Sequence, residues 1–143
     1  GKSAEGIKVF EKLLDQHPNS TNLPLGIGKS LMNQNKPHEA VSFLERASEG
    51  SKQESLENFA EALSVTGQKD RAKEVLERNL DLRKEEYADE PKKNIEALAS
   101  AYMSLIQNKA QHQNDVPGAR ALVQELQRNP ELFRALQKSI GGS

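Results

Sequence analysis

Between Leu56 and Leu76 the chain reads LENFAEALSVTGQKDRAKEVL, and its apolar positions keep a helical period on both sides of one glycine. Leu56, Phe59, Ala60 and Leu63 fall at i, i+3, i+4 and i+7, one stripe of a 3.6-residue helix, while Glu54, Glu57 and Glu61 share a neighbouring face. Gly67 stops that helix, and a second one, starting near Asp70, sets Ala72, Val75, Leu76 and Leu80 on one side. Two stripes joined by so short a turn predict an αα-hairpin. A hairpin of this size leaves its outer faces uncovered, so further copies are expected along the chain.

The same period recurs throughout, punctuated by six prolines that sit where helices begin or have just ended. A first helix carries Ile7, Phe10, Leu13 and Leu14 and stops before Pro18. Asn19-Ser20-Thr21 is a polar turn with good cap residues, and a helix from about Thr21 to Asn33 tolerates Pro24 in its first turn while burying Ile27, Gly28 and Leu31. After Asn35-Lys36, Pro37 opens a helix with Ala40, Val41, Leu44 and Ala47, ended by Glu49-Gly50-Ser51. Beyond the hairpin the second helix runs long, towards Tyr87, until Asp89-Glu90-Pro91 breaks it. Ile95, Leu98, Ala99, Tyr102 and Ile106 predict another long helix from Lys92 to about Ala110, and Gln111 to Asp115 reads as a loop. Val116-Pro117-Gly118 starts a helix with Ala119, Leu122, Val123 and Leu126, and Asn129-Pro130 ends it and caps a last one carrying Leu132, Phe133, Leu136 and Ile140. Eight helices and no strand are expected.

Small residues mark an internal repeat. Gly6, Ala40, Ala72 and Ala119 each open a second helix and are followed four residues on by Phe10, Leu44, Leu76 and Val123, at spacings of 34, 32 and 47. In the first helices, Ile27-Gly28, Phe59-Ala60 and Leu98-Ala99 pair a large residue with a small one and are followed by Leu31, Leu63 and Tyr102. This pattern resembles the tetratricopeptide repeat family, whose unit of about 34 residues has such a large-small pair in its helix A, a turn glycine, and alanine followed by a large residue in its helix B. Gly67, Pro18 and Pro130 fit the turn and end positions. The likeness is inexact: Pro24 and Leu56 stand where the family has Trp, Asn35 replaces a turn glycine, and the 47-residue spacing requires longer helices or a longer turn. The resemblance implies an all-α, right-handed solenoid of helical hairpins in a single domain over 1–140. Its parts are a partial repeat at 1–18, repeats at 21–50 and 53–87, an extended repeat at 91–128, and a capping helix at 130–140 that Arg134, Gln137 and Lys138 solvate; a tail follows at 141–143.

Composition agrees with an elongated chain better than with a large globular core. Of 143 residues 35% are hydrophobic and 4% aromatic, and the mean hydropathy is -0.77. Twenty basic against twenty-one acidic residues give a net charge of -1, which argues against nucleic acid or an anionic membrane as the main partner. No cysteine is present, so disulfides and thiolate metal sites are excluded. No apolar run reaches the roughly 18 residues of a membrane span, and the start does not resemble a signal peptide, so an intracellular, cytoplasmic setting is expected. Opening on Gly1 and ending in Gly-Gly-Ser, the chain reads as an excised segment of a longer protein.

The family likeness implies that helices A line a groove for a peptide. Carried over position by position, the groove residues are Asn22, Leu25, Lys29 and Asn33, then Glu54, Glu57, Asn58 and Glu61, then Lys93, Glu96 and Ser100. Some family members clamp a C-terminal carboxylate with a Lys-Asn, Asn, Lys-Arg set, of which only Asn58 and Lys93 match here, while Leu25, Lys29 and Ala97 depart from it. Three glutamates would repel an acidic tail at about 0.5 kcal/mol per exposed contact. The groove is therefore expected to take a partner protein or peptide with a basic or amphipathic segment.

Other chemistry finds no support. Gly26-Ile27-Gly28-Lys29-Ser30 ends like a phosphate-binding loop, but Leu23 occupies the place of its first glycine and no strand precedes it. His17, His38 and His112 lie far apart without metal-ligand spacing, and no nucleophile has a partnered base. Asn19-Ser20-Thr21 is formally a glycosylation sequon but serves more simply as a cap, and Phe59 and Tyr102 read as packing residues. No cofactor, metal or catalytic residue is expected. The function expected is a non-catalytic scaffold that holds a peptide of a partner in its concave groove. The alternatives are homotypic assembly, through an apolar side of Ile7, Phe10 and Leu14 left open by the incomplete first repeat, or a peptide-substrate-binding domain of a larger enzyme.

Overall fold

A computed structural model describes residues 2–141; Gly1 of the partial repeat and Gly142 and Ser143 of the expected tail lie outside them. Eight helices make up nearly all of this span, and no strand occurs among the described residues. They are α1 (Lys2–Gln16), α2 (Asn22–Asn33), α3 (Pro37–Ser48), α4 (Gln53–Val65), α5 (Lys69–Asp89), α6 (Pro91–Gln111), α7 (Val116–Gln127) and α8 (Pro130–Gly141). Proline writes most of these boundaries. Pro24, Pro37, Pro91, Pro117 and Pro130 stand in the first turns of α2, α3, α6, α7 and α8, where no intrahelical acceptor awaits an N–H, and Pro18 follows the end of α1. The 47-residue spacing is now explained: α5 and α6 are each 21 residues long, whereas α2, α3 and α4 have 12 or 13, so the additional chain is helix and not loop.

The turns complete the helix ends. Ser20 Oγ accepts from the Leu23 N–H at 3.1 Å and supplies the cap of α2. At the other end Asn35 has φ +60°, the left-handed conformation that Gly67 adopts at +89°. Lys36 N–H then reaches back to Leu31 O at 2.9 Å and Asn35 N–H to Met32 O at 3.0 Å, a Schellman closure. Asparagine does the work of the expected turn glycine, because its short polar side chain tolerates this region better than most.

The chain divides at Gly67 into two compact units, 1–67 and 68–143, a boundary that falls between the two helices of the expected 53–87 repeat. In the first unit α2 packs on α3, α3 on α4, and α2 also meets α4 and α1. Gly28 is where α2 and α3 cross: a Cβ there would overlap Leu44 Cδ2 and lie 2.5 Å from its Cγ. Only glycine admits the fully buried Leu44 so close. Phe10 meets Phe43 edge-on, ring centres 6.2 Å apart, and Arg46 Nη2 donates to Leu14 O at 3.3 Å. The apolar side expected to lie open on α1 is therefore different: Leu14 is 2% exposed and Phe10 is half-buried, while Val9 and Leu13 face outwards.

In the second unit α5 packs along α6, α6 also meets α7 and α8, and α7 meets α8. The contacts among α6, α7 and α8 repeat those among α2, α3 and α4, so α8 takes the place of a further helix A. Asp115 caps α7 by accepting from Gly118 N–H at 2.9 Å. That hydrogen bond, aided by Lys109, holds its carboxyl below the usual carboxylate range. A Cβ on Gly118 would lie 2.6 Å from the Asp115 carboxyl carbon, so Gly118→Ala is expected to dislodge the cap. Amide exchange should then quicken several-fold across the first turn of α7 and leave α6 unchanged. In the native chain the same fraying should appear only as pH falls below the ordinary carboxylate range, through the lowered value of folded Asp115.

Candidate functional site

In each unit two A-type helices meet, and their polar rows form the candidate binding faces. In the first unit these rows belong to α2 and α4. Lys29 Nζ lies 2.6 Å from Glu54 Oε1, both side chains about half exposed, and Lys52 Nζ donates to Asn22 Oδ1 at 3.2 Å. Two cross-helix bridges thus join the rows, each worth about 1 kcal/mol or less at such exposure. Asn58 turns its amide back on the Glu54 carbonyl at 2.8 Å. Glu57 is half-buried, while Glu61 and Asn33 are exposed. Leu25 is buried, 9% exposed, so it supports the face from beneath and offers little of itself to a ligand. The seven polar members of the expected set in this unit thus lie on α2 and α4, with Lys29 already paired to Glu54.

In the second unit the rows belong to α6 and α8. Lys93 and Glu96 are exposed and Ser100 half-buried on α6. Glu96 and Ile95 line a cleft of about 470 Å³ whose opposite wall is α8, through Glu131, Arg134, Ala135, Lys138 and Ser139. Of the α8 side chains expected to solvate a cap, Arg134 and Lys138 therefore wall a cleft, while Gln137 does not. The sequence did carry the spacing that sets α8 beside the A-type helices, though not the cleft itself. Phe133, Leu136 and Ile140 repeat the spacing of the helix-A stripe, but Gln137 stands where Gly28, Ala60 and Ala99 are small. That side chain denies a following helix the close crossing Gly28 permits, and Ile140, at the position of buried Leu31, Leu63 and Tyr102, is 65% exposed.

A second polar group was missed. Tyr102, 4% exposed, donates from its hydroxyl to Glu125 Oε1 at 2.7 Å, and Lys84 Nζ reaches the same oxygen at 3.1 Å while lying 5.5 Å from the tyrosine ring centre. The clasp ties α5, α6 and α7 together. Burial, and then the Glu125 carboxylate, push the Tyr102 phenol above its ordinary value. The Tyr102 hydroxyl and then Lys84 hold the Glu125 carboxyl below its own. Both shifts keep a protonated phenol on an ionised carboxylate, an arrangement for holding helices and not for transferring a proton at neutral pH. Tyr102→Phe should cost about 1 kcal/mol in urea unfolding at pH 7, since Glu125 retains water. The gap from the native chain should narrow as pH falls below the ordinary carboxylate range, through the lowered value of folded Glu125, and also above about pH 10, where the unfolded phenol ionises. A gap that does not narrow anywhere on the acid side would show that the clasp contributes nothing through Glu125.

His17, in the turn after α1, and His38, on α3, are exposed, and no group of three potential metal ligands occurs among the described residues. No helix is long and apolar enough to cross a membrane among them.

The helical order of both units, with small residues at the crossings, is that of a hairpin repeat. Residues 1–20 match a tetratricopeptide-repeat family model. The match covers α1 and the turn after it, the stretch that the resemblance assigns to a helix B and the proline closing a tetratricopeptide repeat. Units of the tetratricopeptide family are generally non-catalytic modules of protein–protein interaction. No curated protein matches the chain.

Proposed function

We propose that this chain is a non-catalytic interaction module that holds a peptide segment of a partner protein on its A-helix faces. What carries the reading is the pairing of A-type helices within each unit: α2 with α4, fixed by Lys29–Glu54 at 2.6 Å, and α6 with α8, separated by the 470 Å³ cleft. A surface built on packed helices loses little freedom on binding, so modest contacts suffice for affinity. On the first unit, Glu54, Glu57 and Glu61 outnumber the already engaged Lys29, which favours a basic or amphipathic segment there.

Panning a random peptide library on the chain tests this. Peptides enriched on the native chain and lost on Glu57→Lys/Glu61→Lys, with helical content equal by circular dichroism, are the expected result. Failure to enrich any peptide above a blank surface would sink the reading.

A further inference from the structure

The B-type helices of the second unit enclose a groove of their own. On α5, Glu77, Leu80, Asp81 and Lys84 stand at i, i+3, i+4 and i+7, and on α7, Gly118, Ala121, Leu122 and Glu125 keep the same spacing. Lys84 Nζ meets Glu125 Oε1 at 3.1 Å, so the last members of the two rows face each other. α6 packs against both helices, and between the rows runs a groove of about 350 Å³. Buried Leu80 and Leu105 floor it. It stays open because α7 sets a glycine and an exposed alanine, Gly118 and Ala121, where longer side chains would close on α5.

The two walls differ in character. Both cations that line the groove are engaged, Lys84 by Glu125 and Lys109 by Asp115 at 3.5 Å. Glu77 and Asp81 stand exposed on the α5 wall, and among the described residues no hydrogen bond or ion pair engages either. The α7 wall offers Ala121 and half-buried Leu122. Charge complementarity therefore calls for a ligand with cations on one side and an apolar row on the other. Glu77 and Asp81 are separated by about 6 Å along α5, the spacing of residues four apart on a second helix laid alongside. Backbone needs favour a helix over an extended segment. A helix satisfies its own N–H and C=O groups, whereas a strand would bring unpaired ones against walls whose backbone groups are already spent within α5 and α7.

We propose that the groove between α5 and α7 docks an amphipathic helix of a partner protein, whose two basic residues four apart meet Glu77 and Asp81 while its adjoining apolar row packs on Ala121 and Leu122. The site shares with the interaction-module reading only that the ligand is a protein segment. Its walls are other helices than those of the A-helix faces, and it stands or falls apart from them.

The test is fluorescence anisotropy of a labelled, lactam-bridged, alanine-based helix of about 15 residues with Lys at i and i+4 and Leu at i+1 and i+5, the bridge holding a helix that would be marginal alone. Titrated with the whole chain at low salt, it should bind saturably, about tenfold or more weakly to Glu77→Lys/Asp81→Lys, and more weakly as salt rises. That variant should instead prefer the matching peptide with Glu in place of Lys. Glu77→Gln/Asp81→Asn, an uncharged pair, and Ala121→Gln, which fills the groove, should each weaken binding. All three positions are exposed, so helical content should hold, which circular dichroism checks. Glu57→Lys/Glu61→Lys, on α4, should bind as the native chain does. Loss of binding on that variant would assign the peptide to the first A-helix face, overturning this site while supporting the module reading. Equal binding by the native chain and the α5 variants, absence of saturation below about 1 mM, or equally tight binding of the same peptide interrupted by a central proline would each overturn the proposal.

Discussion

Leu44→Ala is expected to lower the stability of the 1–67 unit by about 2–5 kcal/mol, the usual cost of emptying a fully enclosed leucine site. Leu44 is 0% exposed, and its branch point sits where a Cβ of residue 28 would stand. The partner change has its own cost. Gly28→Ala gains about 1 kcal/mol of helix propensity but forces the leucine aside, and overpacking of this kind costs about 1–3 kcal/mol. Together the two changes should offset each other, because the alanine methyl occupies part of the space that Leu44 leaves. A double-mutant cycle should therefore show a favourable coupling of at least about 1 kcal/mol, read by urea unfolding and by amide exchange in α2 and α3. Additive effects would mean that the crossing of α2 and α3 is not set by this contact.

That contact also shows what the sequence could carry. Gly28, as the small partner of Ile27, and Leu44, four residues after Ala40, were each legible as repeat positions, though not as partners, and the helix boundaries were legible because proline lacks the N–H that a helix interior needs. Asn35 was read as a departure from the turn glycine, yet its φ of +60° gives the same turn. Side-chain partners were less accessible. Periodicity says which face a residue occupies, but Lys29 and Glu54 are 25 positions apart and Tyr102 and Glu125 are 23, so each pairing depends on how two helices are set side by side. The same reason hid the cleft: Arg134 and Lys138 lie on a polar face by period, and only the packing of α8 against α6 turns that face into a wall. Leu25 shows the reverse. Carried over to the groove by position, it lies under the surface, since α2 has apolar residues on several sides and buries Pro24, Leu25 and Ile27 together.

Asn79→Leu is expected to stabilise the chain by about 1–3 kcal/mol. Asn79 sits in the α5 stripe Ala72, Leu76, Asn79, Leu80 and Arg83, is 0% exposed, and neither its Nδ2 nor its Oδ1 has a hydrogen-bond partner. A buried amide left unsatisfied keeps the full cost of losing water, about 1–3 kcal/mol, and leucine of nearly the same shape removes that cost while filling the site. Asn108 on α6 makes the contrast, buried to 5% but accepting from Gln113 Nε2 at 3.0 Å. Asn108→Leu should therefore destabilise where Asn79→Leu does not. Asn79→Ala separates polarity from volume: it removes the amide but leaves a gap, so its stability should fall below that of Asn79→Leu. Thermal unfolding would register the gain as a rise of several degrees in Tm. A loss of more than about 1 kcal/mol on Asn79→Leu would refute the assignment of Asn79 as an unsatisfied group, and would mean that its amide is engaged in the folded protein.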